Sequence, residues 1–416
     1  MNHSSLAQPT VFVGIDWAAQ THAWHLQHEQ VEAAGSLEQD AGAIEQWIKR
    51  LRQQHPGGQF AIAIETTKGP LISALLQYDD VTIWPINPAS LAAYRKAFAH
   101  GGGKNDPSDA MLLCQYLSHY IDQLRPLRQD QPMTRKLAAL SEDRRRLVDQ
   151  RTAHCNELKA VLKSYFPEVL KLGAAKIYAD FIIKFLLKYP SLNTTQKAGA
   201  NKLRKLFYGF GSRAKAQQRV ERLLNATPLS QEPVLIETCS MRVTALASLI
   251  QTYNQQIRIY DNKITELVTE HHDYAIFKSL PGASDLTHSR MIAALGDDRS
   301  RYASAESLQA ASGIAPLTTQ SGKQRFVSSR WACTKFMKQT FHEFAGLSIK
   351  KSKWAAAYYQ MLKDKGKTPQ MAKRALAYKW QRIIFRCWQD RVPYNEEKYI
   401  ERLRKTGSPI YQLIGD

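Results

Sequence analysis

Four carboxylates, Asp16, Glu65, Asp106 and Asp109, are the residues whose types and spacing suit a chemical role in this chain of 416 residues. Asp16 follows a short apolar run in VFVGID, where the preceding glycine permits close approach of a ligand. Glu65 closes the run FAIAIE, and Asp106 and Asp109 stand three apart in GGGKNDPSDAMLL. A helix starting near Pro107 puts that last pair on one side of its first turn. Four acids in one place repel one another unless a divalent cation sits among them, and hard oxygen donors suit Mg²⁺ or Mn²⁺. Such a site performs phosphoryl transfer, the metal neutralising the scissile phosphate and the leaving oxygen. Taken singly, Asp106 reads as a helix cap, Asp109 as a first-turn acid and Glu65 as a solvated strand end. The ordered set of four favours the metal site.

The elements that must hold these acids follow from hydropathy. TVFVGIDWAAQTHAWHLQ reads as two strands meeting in a turn, FAIAIE and VTIWPINP as two further strands, and AGAIEQWIKRLRQQH and GPLISALLQY as helices between them. Strands alternating with helices imply an α/β layer with a mixed sheet, ending near Pro126 and Pro132. Beyond it the pattern is helical. Leu246, Ile250, Tyr253, Ile257, Tyr260, Ile264 and Leu267 keep a four-three alternation, a heptad seam. Leu140, Leu147, Leu158, Leu162 and Tyr165 give a looser seam upstream, broken by Arg144 and Arg151. The two helices are expected to pair antiparallel or to zip onto another subunit. Between them, residues 168–235 mix basic and aromatic residues, which suits either base stacking with phosphate neutralisation or a small helical core with a basic face; the first is the expectation.

The charge is lopsided. Residues 1–125 hold 8 Lys and Arg against 12 Asp and Glu, net −4, and the rest of the chain carries +24, which together make the +20 of the whole. A surplus of that size meets a polyanion, with nucleic acid the leading class, while the acidic part must approach one through cations or a basic neighbour. Five cysteines lie far apart with no CxxC, which argues against a disulfide scaffold and a zinc module. No GxxxxGK[ST] loop is present. No leader and no run approaching eighteen apolar residues is read from the chain, so a cytoplasmic, nucleoid-associated protein without a membrane partner is expected.

Three stretches together, VFVGIDWAAQTHAWHL, AIAIETTKGPL and INPASLAAYRKAFAHGGGKNDPSDAMLL, resemble a known family, as do LPGASDLTHSRMIAALGD, SGIAPLTTQSGKQRF and the segment from WAAAYYQ to NEEKY. The family is the bacterial insertion-sequence transposases with a four-acid (DEDD) RuvC-like domain, described as bridge-RNA-guided recombinases and related to site-specific DNA invertases. The resemblance implies an α/β, RNase-H-like (RuvC-like) domain over residues 1–128, a helical coiled-coil region over 129–275 with the basic insertion 168–235, and a helical transposase domain over 276–416. It implies that Asp16, Glu65, Asp106 and Asp109 bind the metal and that Ser321, in QSGK, is the nucleophile that attacks a DNA phosphate. By residue type alone Ser321 is a turn residue; Lys323, Arg325 and Arg330 lie near enough in sequence to bind its phosphate. Lys104 and Gly282, the latter in a Pro-Gly turn before a helix, are further expected nucleic-acid contacts. The expected partners are donor and target DNA, a structured noncoding RNA and further copies of the chain. Two rivals stay open: a metal-only junction nuclease with Ser321 structural, and a non-catalytic nucleic-acid-binding scaffold.

Overall fold

The computed structural model describes residues 10–98, 106–172, 176–209, 213–322, 324–331 and 333–414. The chain divides into two compact units, residues 1–129 and 130–416.

In the first unit the elements run β1 (Val11–Asp16), β2 (Thr21–His28), β3 (Val31–Glu38), α1 (Ala41–Gln54), β4 (Phe60–Ile64), α2 (Pro70–Leu75), β5 (Val81–Pro85), α3 (Pro88–Phe98) and α4 (Asp106–Tyr120). The sheet order is β3-β2-β1-β4-β5. β1 pairs antiparallel with β2 and parallel with β4; β4 pairs parallel with β5. β4 is buried at every position, as a parallel strand covered on both faces must be. On one face Val11, Val13, Ile15, Phe60, Ile62 and Ile64 pack with Trp47, Ile48 and Leu71 of α1 and α2. On the other Ala61 and Ala63 pack with Leu91, Leu112, Leu113 and Leu117 of α3 and α4. β3 has no counterpart in the hydropathy pattern because it is an edge strand burying only Leu37.

The second unit is built on a helix pair, α5 (Pro132–Tyr165) and α9 (Pro233–Val268). Between them come α6 (Asp180–Lys188), α7 (Leu192–Tyr208) and α8 (Arg213–Leu224). The pair is antiparallel, with Arg144 on Asp261, Arg151 Nη1 donating to Asn254 Oδ1 at 2.9 Å and Arg242 Nη2 to Glu157 Oε1 at 2.6 Å. The heptad seam therefore closes within the chain. The two arginines that interrupt its upstream half are the ones that tie it to α9. By length and mean hydropathy α9 also resembles a bilayer-crossing helix, without holding a run of eighteen apolar residues. It nevertheless carries Arg242 and Arg258, both ion-paired.

Among the described aromatics of 168–235, Phe185, Tyr189 and Phe207 are buried in a core and offer no stacking surface. Phe185 and Phe207 are fully buried, with centroids 5.5 Å apart, and join Phe166, Leu186, Leu203 and Val220 in a core closed by Leu158, Leu162 and Ile250 of the helix pair. Tyr208 stays outside, 44% exposed. Alternating apolar and basic residues here mark amphipathic helices, with most of the basic residues at the surface.

The far end of the pair carries a second core. It contains α10 (Tyr274–Lys278), α11 (Asp285–Leu295), α12 (Ala305–Ala311), the hairpin β6 (Leu317–Ser321) and β7 (Gln324–Ser328), α13 (Lys335–Ser348), α14 (Lys353–Asp364), α15 (Pro369–Asp390), α16 (Glu396–Lys405) and α17 (Pro409–Gln412). Trp354, Trp380 and Trp388 are fully buried there. Each satisfies its indole N–H, on Tyr394 Oη (2.8 Å), Ser348 Oγ (2.8 Å) and the Gly296 carbonyl (3.2 Å).

Candidate active site

Strand alternation decides where the N-terminal acids point. Ile15 pairs with Ile64 at the carboxyl ends of adjacent parallel strands, so Asp16 and Glu65 come next, about 4.8 Å apart in backbone spacing. Val13 and Ile15 face α1 and α2 while Phe12 and Gly14 face α4, so Asp16 takes the α4 side. By the same parity Glu65 follows Ala61 and Ala63 to that side. Gly14 lets α4 lie directly on β1: a Cβ there would stand 2.0 Å from the Ala110 carbonyl oxygen and 2.4 Å from the Cys114 nitrogen. The first turn of α4 is thereby held one residue from Asp109 against the strand that ends in Asp16. Burial pushes the Cys114 thiol on this contact up to about 12.

Asp106 is exposed at the start of α4 and Asp109 is buried on the same side of its first turn. Arg95 of α3 donates to Asp109, Nη2 to Oδ1 at 2.5 Å, and is the cation that this carboxylate meets here. Sequence reading missed Arg95, since a pairing across fourteen residues and two helices leaves no local signal. Backbone geometry gathers the acids at one edge, but no three of their carboxylates come within 4.8 Å of one another. Among the described residues three or more His, Cys, Asp or Glu ligand atoms come within 4.8 Å of one another only at His271, His272 and Asp273. That second cluster is internally satisfied. His271 Nε2 bonds Thr134 Oγ1 (2.8 Å), its Nδ1 accepts from the Asp273 N–H (3.1 Å), and Arg299 neutralises Asp273 at 2.6 Å. The N-terminal set, all oxygen donors with two on neighbouring strand ends and two on a helix start, fits a hard divalent ion.

In the second unit Ser321 is the last residue of β6, pairs with Gln324 across the turn and is exposed. Gly322 takes the positive φ (58°) that the tight turn requires. The hairpin is exposed on both faces: Phe326 is 62% and Val327 63% exposed, and Trp331, just beyond it, is 90%. Its base is held by Arg374 of α15, which donates to the carbonyls of Ile314 (3.0 Å) and Gly313 (3.4 Å) on one side and to Ser329 Oγ (3.2 Å) on the other. Lys338 also reaches Ser329 Oγ and the Arg330 carbonyl, both at 3.3 Å. Arg330 is half-buried with its Nε unpartnered, and Arg325 lies in β7 opposite Gln320. Lys323 and Lys104 lie outside the described residues. Gly282 has φ 80°, and a Cβ on it would stand 2.8 Å from the Leu347 carbonyl, so close packing accounts for the glycine. At the following helix start, the Asp285 carboxylate already accepts from Tyr274 Oη (2.9 Å).

Residues 13–167 match the model of the DEDD domain of IS110 transposases, described as "Transposase". Residues 274–360 match that of the "Transposase IS116/IS110/IS902 family". The chain carries IS110-family transposase domains. Transposase domains bind DNA and cut and rejoin it, and those of the four-acid kind typically use divalent metal ions. The chain is 25% identical over 399 residues to the mini-circle putative transposase for IS117 of Streptomyces coelicolor, covering 94% of this chain and 96% of that protein. It is 23% identical over 300 residues to the uncharacterized 43.6 kDa protein of insertion element IS110 from the same organism, covering 71% and 73%. It is also 23% identical over 412 residues to the uncharacterized 42 kDa protein of insertion element IS900 from Mycobacterium paratuberculosis, covering 94% and 98%.

Proposed function

We propose that this chain is a DNA transposase and recombinase that cuts donor and target strands and rejoins them through a phosphoserine on Ser321. The observation that carries the reading is the corner where β1 and β4 end beside the first turn of α4, setting Asp16, Glu65 and Asp109 on one face of a matched DEDD domain. The strand order, with β2 antiparallel and β4 parallel to the central β1, supports an RNase-H-like (RuvC-like) assignment for residues 1–128. The remaining parts are a coiled-coil region (129–275) and a serine-bearing domain (276–416).

Asp16, Glu65, Asp106 and Asp109 would hold Mg²⁺, with Mn²⁺ as substitute; when bound, the ion neutralises the scissile phosphate and the leaving oxygen. Ser321 Oγ attacks the phosphorus and gives up its proton, an Oγ–P bond forms, and the bond to the departing deoxyribose oxygen breaks as that oxygen is protonated. A hydroxyl at a strand end then attacks the same phosphorus and expels the serine oxygen, so bond energy is conserved without a nucleotide. Lys323, Arg325 and Arg330 neutralise the phosphate during both steps, with Lys104 and Gly282 as further backbone contacts. A structured noncoding RNA guides the choice of sites, a reading supported by a +24 surplus beyond residue 125 that exceeds what a short DNA footprint needs. The protein works as a homo-oligomer in the bacterial cytoplasm, at the nucleoid.

The test is to denature the protein on labelled DNA. A covalent adduct that forms with wild type and is lost with Ser321→Ala supports the serine route. Full-rate cleavage by Ser321→Ala would leave the metal-only nuclease, and unchanged strand transfer by Asp16→Asn would leave the non-catalytic scaffold.

A further inference from the structure

Helix α8 carries Lys215, Arg219 and Arg222 at spacings of four and three, which is one stripe along its surface. Lys171 faces that stripe from the turn Pro167–Lys171, across a cavity of about 280 Å³ lined by Lys171, Leu172, Lys215, Gln218, Arg219 and Arg222. Among the described residues its lining holds four cations and no carboxylate. Like charges at these spacings repel, so the arrangement costs stability unless something else gains from it. The cavity is also built rather than incidental. Arg219 donates through Nε to the Leu172 carbonyl (2.9 Å), and its guanidinium lies 4.3 Å over the Phe181 ring. Arg222 donates to the Lys171 carbonyl at 2.5 Å, which fixes the two walls to each other. Arg219 Nη1 is buried with no hydrogen-bond partner among the described residues. Burial lowers the pKa of this guanidinium, as desolvation does for a cation. The nearest acid on α8, Glu221, is taken by the Gln217 amide at 2.7 Å.

We propose that this cavity binds the phosphodiester backbone of a nucleic-acid strand. A stripe of three cations with a fourth facing it suits a strand's run of phosphates better than one isolated anion, and the aromatics beneath them are committed to the core, which leaves backbone contact without base reading. The inference rests on the nucleic-acid partner of the proposed function and assigns it a place outside the matched transposase segments, at the side of the helix pair.

The experiment uses the full-length protein and its Lys171→Gln/Lys215→Gln variant, leaving Arg219 and Arg222 in their structural bonds. Binding of a labelled single-stranded DNA and of the RNA of the same sequence is followed by anisotropy from about 50 to about 200 mM salt. For at least one strand, affinity should fall about 10-fold and the salt slope should flatten by about 1 to 2, with the melting temperature unchanged. The Lys171→Arg/Lys215→Arg variant should recover wild-type binding. Equal affinity and slope for both strands, with wild type binding tightly, overturns the cavity assignment alone. A wild-type chain that binds neither strand overturns it together with the nucleic-acid reading.

Discussion

Replacing Gly14 by alanine tests the geometry on which the N-terminal site depends. The added methyl would meet the Ala110 carbonyl oxygen at 2.0 Å where ordinary contact begins at 3.4 Å, so 3.4 − 2.0 gives a displacement of 1.4 Å for α4 or β1. Both nearest neighbours are backbone atoms, which cannot rotate away. Overpacking of this kind costs about 1–3 kcal/mol, or about 4–12 °C in the melting of a unit of this size. The same shift moves Asp109 relative to Asp16 and Glu65, and an error of about 1 Å in a phosphoryl-transfer site costs about 100-fold in rate. Cys114 reports the displacement directly. Its buried thiol, pushed up to about 12, should resist alkylation near neutral pH in wild type and react in Gly14→Ala. Three readouts should therefore move together: melting, Mg²⁺-dependent strand transfer and thiol labelling. A variant that melts like wild type, keeps its thiol protected and transfers strands at full rate would refute the close approach of α4 to β1.

Arg374→Ala should loosen the base of the β6–β7 hairpin, because three donors to Gly313, Ile314 and Ser329 are lost together. Strand transfer is expected to fall at least about 10-fold, with about 1.5–3 kcal/mol lost and faster proteolysis between residues 313 and 330; Arg374→Lys should recover part of each. Chelation of divalent ions should abolish strand cleavage while leaving nucleic-acid binding measurable, and cleavage that persists in chelator would remove the metal from the reaction. Burial lowers the pKa of His271 and His288, so the folded chain keeps them neutral where the unfolded chain takes up protons. Their contribution to stability is complete above about pH 6.5 and is lost as the pH falls below it, by up to about 1.4 kcal/mol per pH unit and histidine. Denaturation midpoints that stay flat between about pH 7 and about pH 5 would contradict this.

Much of the first unit was legible because its strands and helices alternate in apolar period, and strand ends mark Asp16 and Glu65 without any tertiary knowledge. β3 was not legible, since an edge strand with one buried residue looks like a loop. The packing of α4 against the strands that end beside Asp16 and Glu65 depends on Gly14, Ala61 and Ala63 being small on one face, a pattern that hydropathy does not weigh. Arg95 and Arg374 were invisible because their partners lie across helices. The aromatics of 168–235 misled for a related reason: the same composition suits a stacking platform and a helical core, and only the packing of Phe185 on Phe207 separates them. Ser321 reads as a turn residue in sequence and stands beside a turn in the structure, so its assignment as nucleophile comes from the family resemblance of the segment around QSGK.

The helix pair of the second unit also acts as a measure. Leu137 of α5 lies in the core that includes Trp380, and Leu162 in the core that includes Phe185. Twenty-five residues of unbroken helix at about 1.5 Å each set them roughly 37 Å apart, close to one turn of B-form DNA. A strand engaged beside α8 would thus be presented one helical repeat from the core beneath the hairpin. Inserting or deleting a single turn of α5 and α9 together should then change the phasing of the ends that are joined, while an unpaired change in one helix should simply unfold the unit.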